Sequence, residues 1–270
     1  VSRRITGCFE AAAAAGRKVL IPFVTAGDPD PAWTVAIMHA LVEGGADLIE
    51  LGVPFSDPMA DGPVIQVASE RAIDKGVTLD VVLQAVAEFR RTDDATPVVL
   101  MGYMNPLERY GHEDFTRAAR AAGVDGLLLV DCPPEESGQL NHALRDAGLD
   151  GIRLVAPTTT PERVCKIAAS ASGFIYYVSL KGITGAGVQG FEELREPIAQ
   201  IRACSELPVA VGFGIKTPEM AAAAAAHADA VVVGSALVEM LAGAGSVEQA
   251  CSSARAFVAR LRDSLDNMAA

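Results

Sequence analysis

The sequence predicts an α/β fold, a single (β/α)8 TIM barrel. Three observations predict it: short apolar runs alternate strictly with helix-like segments, there are eight such runs, and the 270 residues come close to the ~250 usual for that architecture. The strand-like runs are Val19–Val24, Asp47–Leu51, Pro97–Gly102, Gly126–Val130, Gly151–Val155, Gly173–Val178, Pro208–Gly212 and Ala230–Gly234. Strict strand–helix alternation implies a parallel sheet, and eight units imply its closure. An open doubly wound sheet is the rival, disfavoured by even spacing and by the lack of a GxGxxG after the first strand.

The intervening helices are predicted over Pro31–Glu43, Leu79–Arg91, Glu113–Ala122, Glu135–Ala147, Pro161–Ala169, Glu192–Cys204 and Pro218–Ala226. Thr160-Pro161 and Thr217-Pro218 are cap-plus-proline entries, and Gly44, Gly123 and Gly148 are stops. An extra N-terminal helix covers Ile5–Ala14 and an additional C-terminal one Val247–Leu265. No linker-like shift in composition divides residues 1–270, so one domain is expected. Two connections are long, Gly52–Thr78 and Ser179–Gly190. Both follow strand C-terminal ends, where barrel chemistry sits, and both are lid candidates.

Half of the residues are hydrophobic but only 5% are aromatic, which suits buried parallel strands covered by alanine-rich helices. The formal net charge of -12 argues against nucleic acid, whose backbone needs clustered Lys and Arg. It leaves room for a small phosphorylated ligand held by backbone N–H groups. The five cysteines, Cys8, Cys132, Cys165, Cys204 and Cys251, are scattered and lack any CxxC pair. They read as reduced thiols of a cytoplasmic protein. There is neither a secretory pattern nor an apolar stretch of transmembrane length, so no membrane role is expected.

Glu50 is the first chemical anomaly, an acid between Ile49 and Leu51 in a strand that should be buried on both faces. Desolvation raises the pKa of such a carboxyl and suits it to acid/base work near neutrality. The other reading is a strand-end glutamate paired with a lysine or arginine. Asp61, in Pro58-Met59-Ala60-Asp61-Gly62-Pro63, reads locally as a turn residue. The same loop can also fold it over the barrel mouth towards Glu50, and two carboxylates in different environments can divide acid and base roles.

Glycines form the third constellation: Gly182-Ile183-Thr184-Gly185, Gly212-Phe213-Gly214-Ile215 and Gly234-Ser235 follow the last three strands. Together they suit a phosphate site at a helix N-terminus, with Ser235 capping its helix. His39, His112, His142 and His227 show no metal-ligand spacing, so metal is not expected. Asp131 is either catalytic or an organiser of neighbouring loops, the latter being favoured. One of Tyr176 and Tyr177 must point into the barrel. Lys181, just past the sixth strand, could carry a Schiff base in an aldolase, although a solvated loop lysine fits its position better.

Taken together, Pro22-Phe23-Val24-Thr25-Ala26-Gly27-Asp28-Pro29, Glu50-Leu51-Gly52-Val53-Pro54-Phe55-Ser56-Asp57-Pro58, Ala60-Asp61-Gly62-Pro63, Asn105-Pro106 and Asp131-Cys132-Pro133-Pro134-Glu135-Glu136 resemble the alpha subunits of tryptophan synthase. The likeness continues through Ala156-Pro157-Thr158-Thr159 and the Gly182 and Gly212 segments, so it runs almost the whole chain. The ELGVPFSDP and ADGP strings are highly specific, whereas GFGI alone is not.

The resemblance implies a lyase that cleaves indole-3-glycerol phosphate to indole and glyceraldehyde 3-phosphate. Catalytic roles would fall to Glu50, Asp61 and Tyr176. Phe23, Met101, Leu128 and Phe213 would line the indole pocket, Gly185, Gly214, Gly234 and Ser235 would hold phosphate, and Thr184 would close the lid. The implied partner is a pyridoxal phosphate-bearing beta subunit in an alpha2beta2 heterotetramer, with no cofactor on this chain. The rival from outside the enzymes is a non-catalytic barrel that binds phosphate and activates another subunit, and the intact Glu50/Asp61 pair argues against it. The chain departs from the family pattern at Leu180-Lys181, where an arginine is common, and at Cys132, Gly102 and Met104.

Overall fold

The computed structural model describes residues 2–178, 187–212 and 214–268. In chain order the elements are α1 (Arg3–Ala14), β1 (Val19–Thr25), α2 (Thr34–Glu43), β2 (Ile49–Gly52), α3 (Pro63–Asp74), α4 (Leu79–Phe89), β3 (Val98–Gly102), α5 (Met104–Tyr110) and α6 (His112–Ala122). They continue with β4 (Gly126–Leu129), α7 (Gly138–Ala147), β5 (Asp150–Val155), α8 (Pro161–Ser170), β6 (Ile175–Val178), α9 (Arg195–Cys204), β7 (Val209–Gly212), α10 (Pro218–Ala225), β8 (Ala230–Val233), α11 (Ser235–Ala242) and α12 (Val247–Asp266). Two 3-10 turns, Pro31–Trp33 and Gly187–Leu194, precede α2 and α9. Among the described residues, the eight strands pair in parallel in the order of the sequence and close, β1 against β8.

The predicted entries and stops act as expected. Thr160 and Thr217 accept hydrogen bonds from the N–H groups of Arg163 and Met220, with proline following each. These caps satisfy donors that a helix leaves without internal partners. Gly123 and Gly148 close α6 and α7 in the left-handed region, at φ 89° and 70°, where a β-carbon is disfavoured.

Two apolar layers follow from strand alternation. Inward residues such as Val19, Ile21, Leu48, Val99, Leu128, Ile152, Phe174, Ala210 and Val232 fill the barrel, and Ile5 and Phe9 of α1 close its lower end. Outward residues such as Leu20, Ile49, Leu51, Leu100 and Val211 pack against the helices. A fully buried Leu or Ile contributes roughly 1.5–3 kcal/mol by leaving water, so these layers, not the surface ion pairs, hold the barrel shut.

The closed lower end is also a polar knot. Asp125, fully buried, accepts from Ser2 Oγ at 2.7 Å, Arg4 Nη1 at 3.1 Å, Arg90 Nη2 at 2.6 Å and the Val98 N–H at 2.9 Å. Asp150 accepts the Ser2 N–H at 2.9 Å. The N-terminal segment is thus tied to β3, β4 and β5 through carboxylates that only this pairing makes tolerable in the interior.

Three expectations need correction. The connection after β2 is not all loop, because α3 occupies Pro63–Asp74 within it; its Asp-Gly-Pro entry looks like a turn yet supplies proline at the first helical position. Short helix α5 is a further element outside the predicted set, whereas α11 is the helix expected at Ser235. The cysteines are not all free: Cys165 and Cys204 are disulfide-bonded, while Cys8, Cys132 and Cys251 are thiols. The bonded pair lies 39 residues apart, and only the packing of α8 against α9 brings the two together.

Candidate active site

The site is built on the inner face of the barrel at the C-terminal ends of the strands. Leu48 points inward while Ile49 and Leu51 pack outward; alternation therefore turns Glu50 inward. It stands in register with Phe23 of β1 and Val99 of β3, both inward as well. Glu50 is 2% exposed, and its Oε1 has no hydrogen-bond partner. No lysine or arginine pairs with it in the described structure, so the strand-end ion-pair reading fails. Burial first, and the charge of Asp61 second, push its pKa up to about 8. A carboxyl in this setting holds its proton at neutral pH.

Asp61 reaches the mouth from the loop before α3. Its N–H donates to the Pro58 carbonyl at 3.0 Å, and its own carbonyl accepts from Gln66 Nε2 at 2.8 Å. The loop is braced further back, where Arg71 of α3 forks onto the buried Asp28 carboxylate at 2.7 and 2.9 Å. Burial raises the pKa of Asp61, and a hydrogen bond from Tyr103 Oη at 3.1 Å opposes that rise. Asp61 lines one cavity with Phe23, Gly52 and Met101 at the strand ends, so the loop does fold back over the mouth.

Tyr176, not Tyr177, faces the barrel: it packs with the inner layer, whereas Tyr177 joins the outer one. Its phenol is held neutral, well above the usual range, by burial and then by Glu50 and Asp61. Space for its ring is made by Gly212, where a β-carbon would stand 2.0 Å from Tyr176 Oη. Phe23 is cleared in the same way by Gly52, where a β-carbon would fall 2.6 Å from Phe23 Cζ. Met101 and Leu128 are register partners at the inner face, beside Gly52. Phe23, Thr25, Gly52, Asp61, Ser69, Met101 and Tyr103 line one small cavity of about 10 Å³, so an apolar slot meets Asp61 at its edge.

At the ends of the last two strands, Gly214 follows β7 with φ 71°, and Gly234, beside Phe23, is the N-cap of α11. Ser235 is the first helical residue, not the cap, and makes no capping bond, which corrects the expected role. The first-turn N–H groups of such a helix lack internal acceptors and favour an anion. Thr184, Gly185, Phe213 and Lys181 lie outside the described residues. Asp131 is exposed, and its Oδ1 caps the Met104 N–H at 2.8 Å, as expected of a loop organiser. Tyr103 was missed. It stands directly after β3, at the strand end where barrel chemistry gathers, and that position was the available signal.

Among the described residues, no group of three or more His, Cys, Asp or Glu is placed to hold a metal ion. Likewise, no helix there is long and apolar enough to cross a membrane.

A closed parallel barrel with a buried, protonated glutamate, a second carboxylate facing it and a neutral phenol beside them defines an enzyme of the acid/base barrel class. The family model described as "Tryptophan synthase alpha chain" matches residues 9–266. The tryptophan synthase alpha chain of Azoarcus sp. (strain BH72) is 57% identical over 98% of this chain and 97% of its own length. That of Burkholderia pseudomallei (strain 1106a) is 57% identical over 98% of both. Among solved structures, tryptophan synthase subunit alpha from Legionella pneumophila str. Paris superposes with a TM-score of 0.91 at 46% identity over 99% of both chains. A chain in the aminoacrylate-bound form of tryptophan synthase from M. tuberculosis does so at 0.86 and 37% identity, over 97% of this chain and 99% of that one.

The chain belongs to the tryptophan synthase alpha chain family. It is an indole-3-glycerol-phosphate lyase of tryptophan biosynthesis. The family works without a cofactor on this chain, pyridoxal phosphate belonging to the beta chain.

Proposed function

We propose that Glu50 and Asp61 carry the lyase reaction as a proton donor and a charge-stabilising acceptor. The bond to be broken joins indole C3 to a hydroxyl-bearing glycerol carbon, and an intact aromatic ring is a poor leaving group. Protonation at C3 by Glu50 gives the indoleninium ion, the N-protonated form of the indolenine tautomer, with its positive charge at nitrogen. Asp61, as the anion, accepts the indole N–H and stabilises that charge. The Glu50 carboxylate then takes the proton of the glycerol hydroxyl. The C–C bond breaks to an aldehyde, and its electron pair restores the aromatic ring. One proton leaves Glu50 and one returns, so the reaction yields indole and glyceraldehyde 3-phosphate in balance.

The observation that carries this reading is the Glu50 carboxyl itself, buried on the inner face with an unpartnered Oε1 and protonated near neutrality. Tyr176 supplies a neutral phenol beside it. Phe23, Met101, Leu128 and Phe213 form the indole slot, while Gly185, Gly214, Gly234 and Ser235 take the phosphate and Thr184 closes the lid. Glu50→Gln is nearly isosteric. It is expected to bind the substrate normally while losing several orders of magnitude in indole formation, and wild-type turnover would refute the assignment.

We further propose that residues 1–270 act as one domain in a cytoplasmic alpha2beta2 heterotetramer, passing indole to a beta subunit. The superposition on a chain of M. tuberculosis tryptophan synthase supports a complex. The family's place in amino-acid biosynthesis supports the compartment. Size-exclusion chromatography with a cognate beta subunit tests the assembly.

A further inference from the structure

Asp61 sits on a loop, yet charge stabilisation requires its carboxylate to be fixed and anionic. Tyr103 meets both needs with one hydroxyl. Its Oη donates to Asp61 Oδ2 at 3.1 Å and accepts the Ala60 N–H at 3.0 Å. The acid and the backbone one residue before it are therefore gripped together. The phenol is itself fixed: Tyr103 is 3% exposed, leads directly out of β3 into α5, and packs its ring on Phe55 with centroids 5.0 Å apart. Phe55 belongs to the same loop as Asp61, so ring and hydroxyl hold that loop at two places.

We propose that Tyr103 is a positioning residue of the lyase reaction, clamping the Ala60–Asp61 segment to the end of β3 so that the Asp61 carboxylate meets the indole N–H. This rests on the role assigned to Asp61 above. A hydrogen bond donated by the hydroxyl is stronger to the carboxylate than to the neutral acid, so it also favours the anionic form of Asp61 against the burial that disfavours it. Among the described residues, the groups facing this pair are Glu50 of β2, Tyr176 of β6 and Asp131 after β4. Each is acidic or neutral, so none supplies the cation that could otherwise hold Asp61 ionised.

The test is Tyr103→Phe, which keeps the ring and its packing on Phe55 and removes only the hydroxyl, measured alongside Asp61→Asn. Tyr103→Phe is expected to melt like the wild type and lose about 10- to 100-fold in kcat/KM, mostly in kcat. The acid limb of its pH–rate profile should move to higher pH, because Asp61 stays protonated longer. An unmoved acid limb, or a loss confined to KM, overturns the clamp while leaving Asp61's role standing if Asp61→Asn is still impaired. Full activity in Asp61→Asn refutes that role, and the clamp falls with it.

Discussion

Tyr176 Oη occupies the point that a side chain on Gly212 would need, since a β-carbon there would lie 2.0 Å from the oxygen and 2.7 Å from Cζ. Backbone of β7 and ring of β6 thus interlock across the floor of the site. Gly212→Ala should push the ring off its position. We expect a stability loss of about 1–3 kcal/mol, as for overpacking, and at least a tenfold fall in kcat. Tyr176→Ala in the Gly212→Ala background should recover part of the stability, giving a strongly non-additive cycle in denaturant melts. Additive losses would mean that the two residues do not share the space.

The buried carboxyl predicts a pH signature with a definite sign. Glu50 ionises near 8 in the folded protein against 4.5 for the unconstrained group. Between those values the unfolded chain has released a proton that the native one keeps. Its contribution is therefore fully present below about 4.5 and is lost as pH rises through about 8, a linkage on the order of a few kcal/mol. Glu50→Gln cannot ionise, so urea midpoints of the variant should gain on the wild type between pH 5 and pH 8 and then run parallel. The wild-type kcat/KM should also decline above about 8, as the general acid loses its proton.

Much of this was legible in advance, and the failures share a cause. All eight strands announced themselves because buried parallel strands are unbroken apolar runs bounded by glycine and proline. Glu50 stood out because a carboxylate in such a run is chemically conspicuous. What escaped depends on partners far along the chain. Tyr103 acquires meaning only through Asp61, 42 positions away, and Cys165 only through Cys204. Helix α3 was hidden by local ambiguity: Asp61-Gly62-Pro63 is as good a turn as a helix entry, and packing decided between them.

At the closed end of the barrel, Asp125 should matter for stability and not for turnover. Its two oxygens collect Ser2, Arg4, Arg90 and the Val98 N–H. Asp125→Ala takes from the largely buried Arg90 its nearer carboxylate, at 2.6 Å, and leaves only Asp93 at 3.9 Å. A loss of about 3–5 kcal/mol is expected, as for a broken buried ion pair, with kcat in the residual folded protein unchanged. Chemical denaturation combined with steady-state assays separates the two. A fall in kcat at full stability would show that the lower knot communicates with the mouth.

The disulfide offers a cleaner separation of stability from chemistry. Cys165 and Cys204 join α8 to α9 on the outer helix layer, whereas the proposed reacting groups lie inside the barrel. Closing a loop of 39 residues restricts the unfolded chain by about 4 kcal/mol in the loop-entropy account. Cys165→Ser with Cys204→Ser, or a reducing buffer, should therefore lower the melting temperature while leaving kcat and KM for indole formation as they were. The same double variant should abolish the effect of reductant on melting. If reductant still destabilised it, the thiol-sensitive element would lie elsewhere, and if kcat fell with the bond, the α8–α9 tether would have to be counted among the elements that shape the sixth and seventh strand ends.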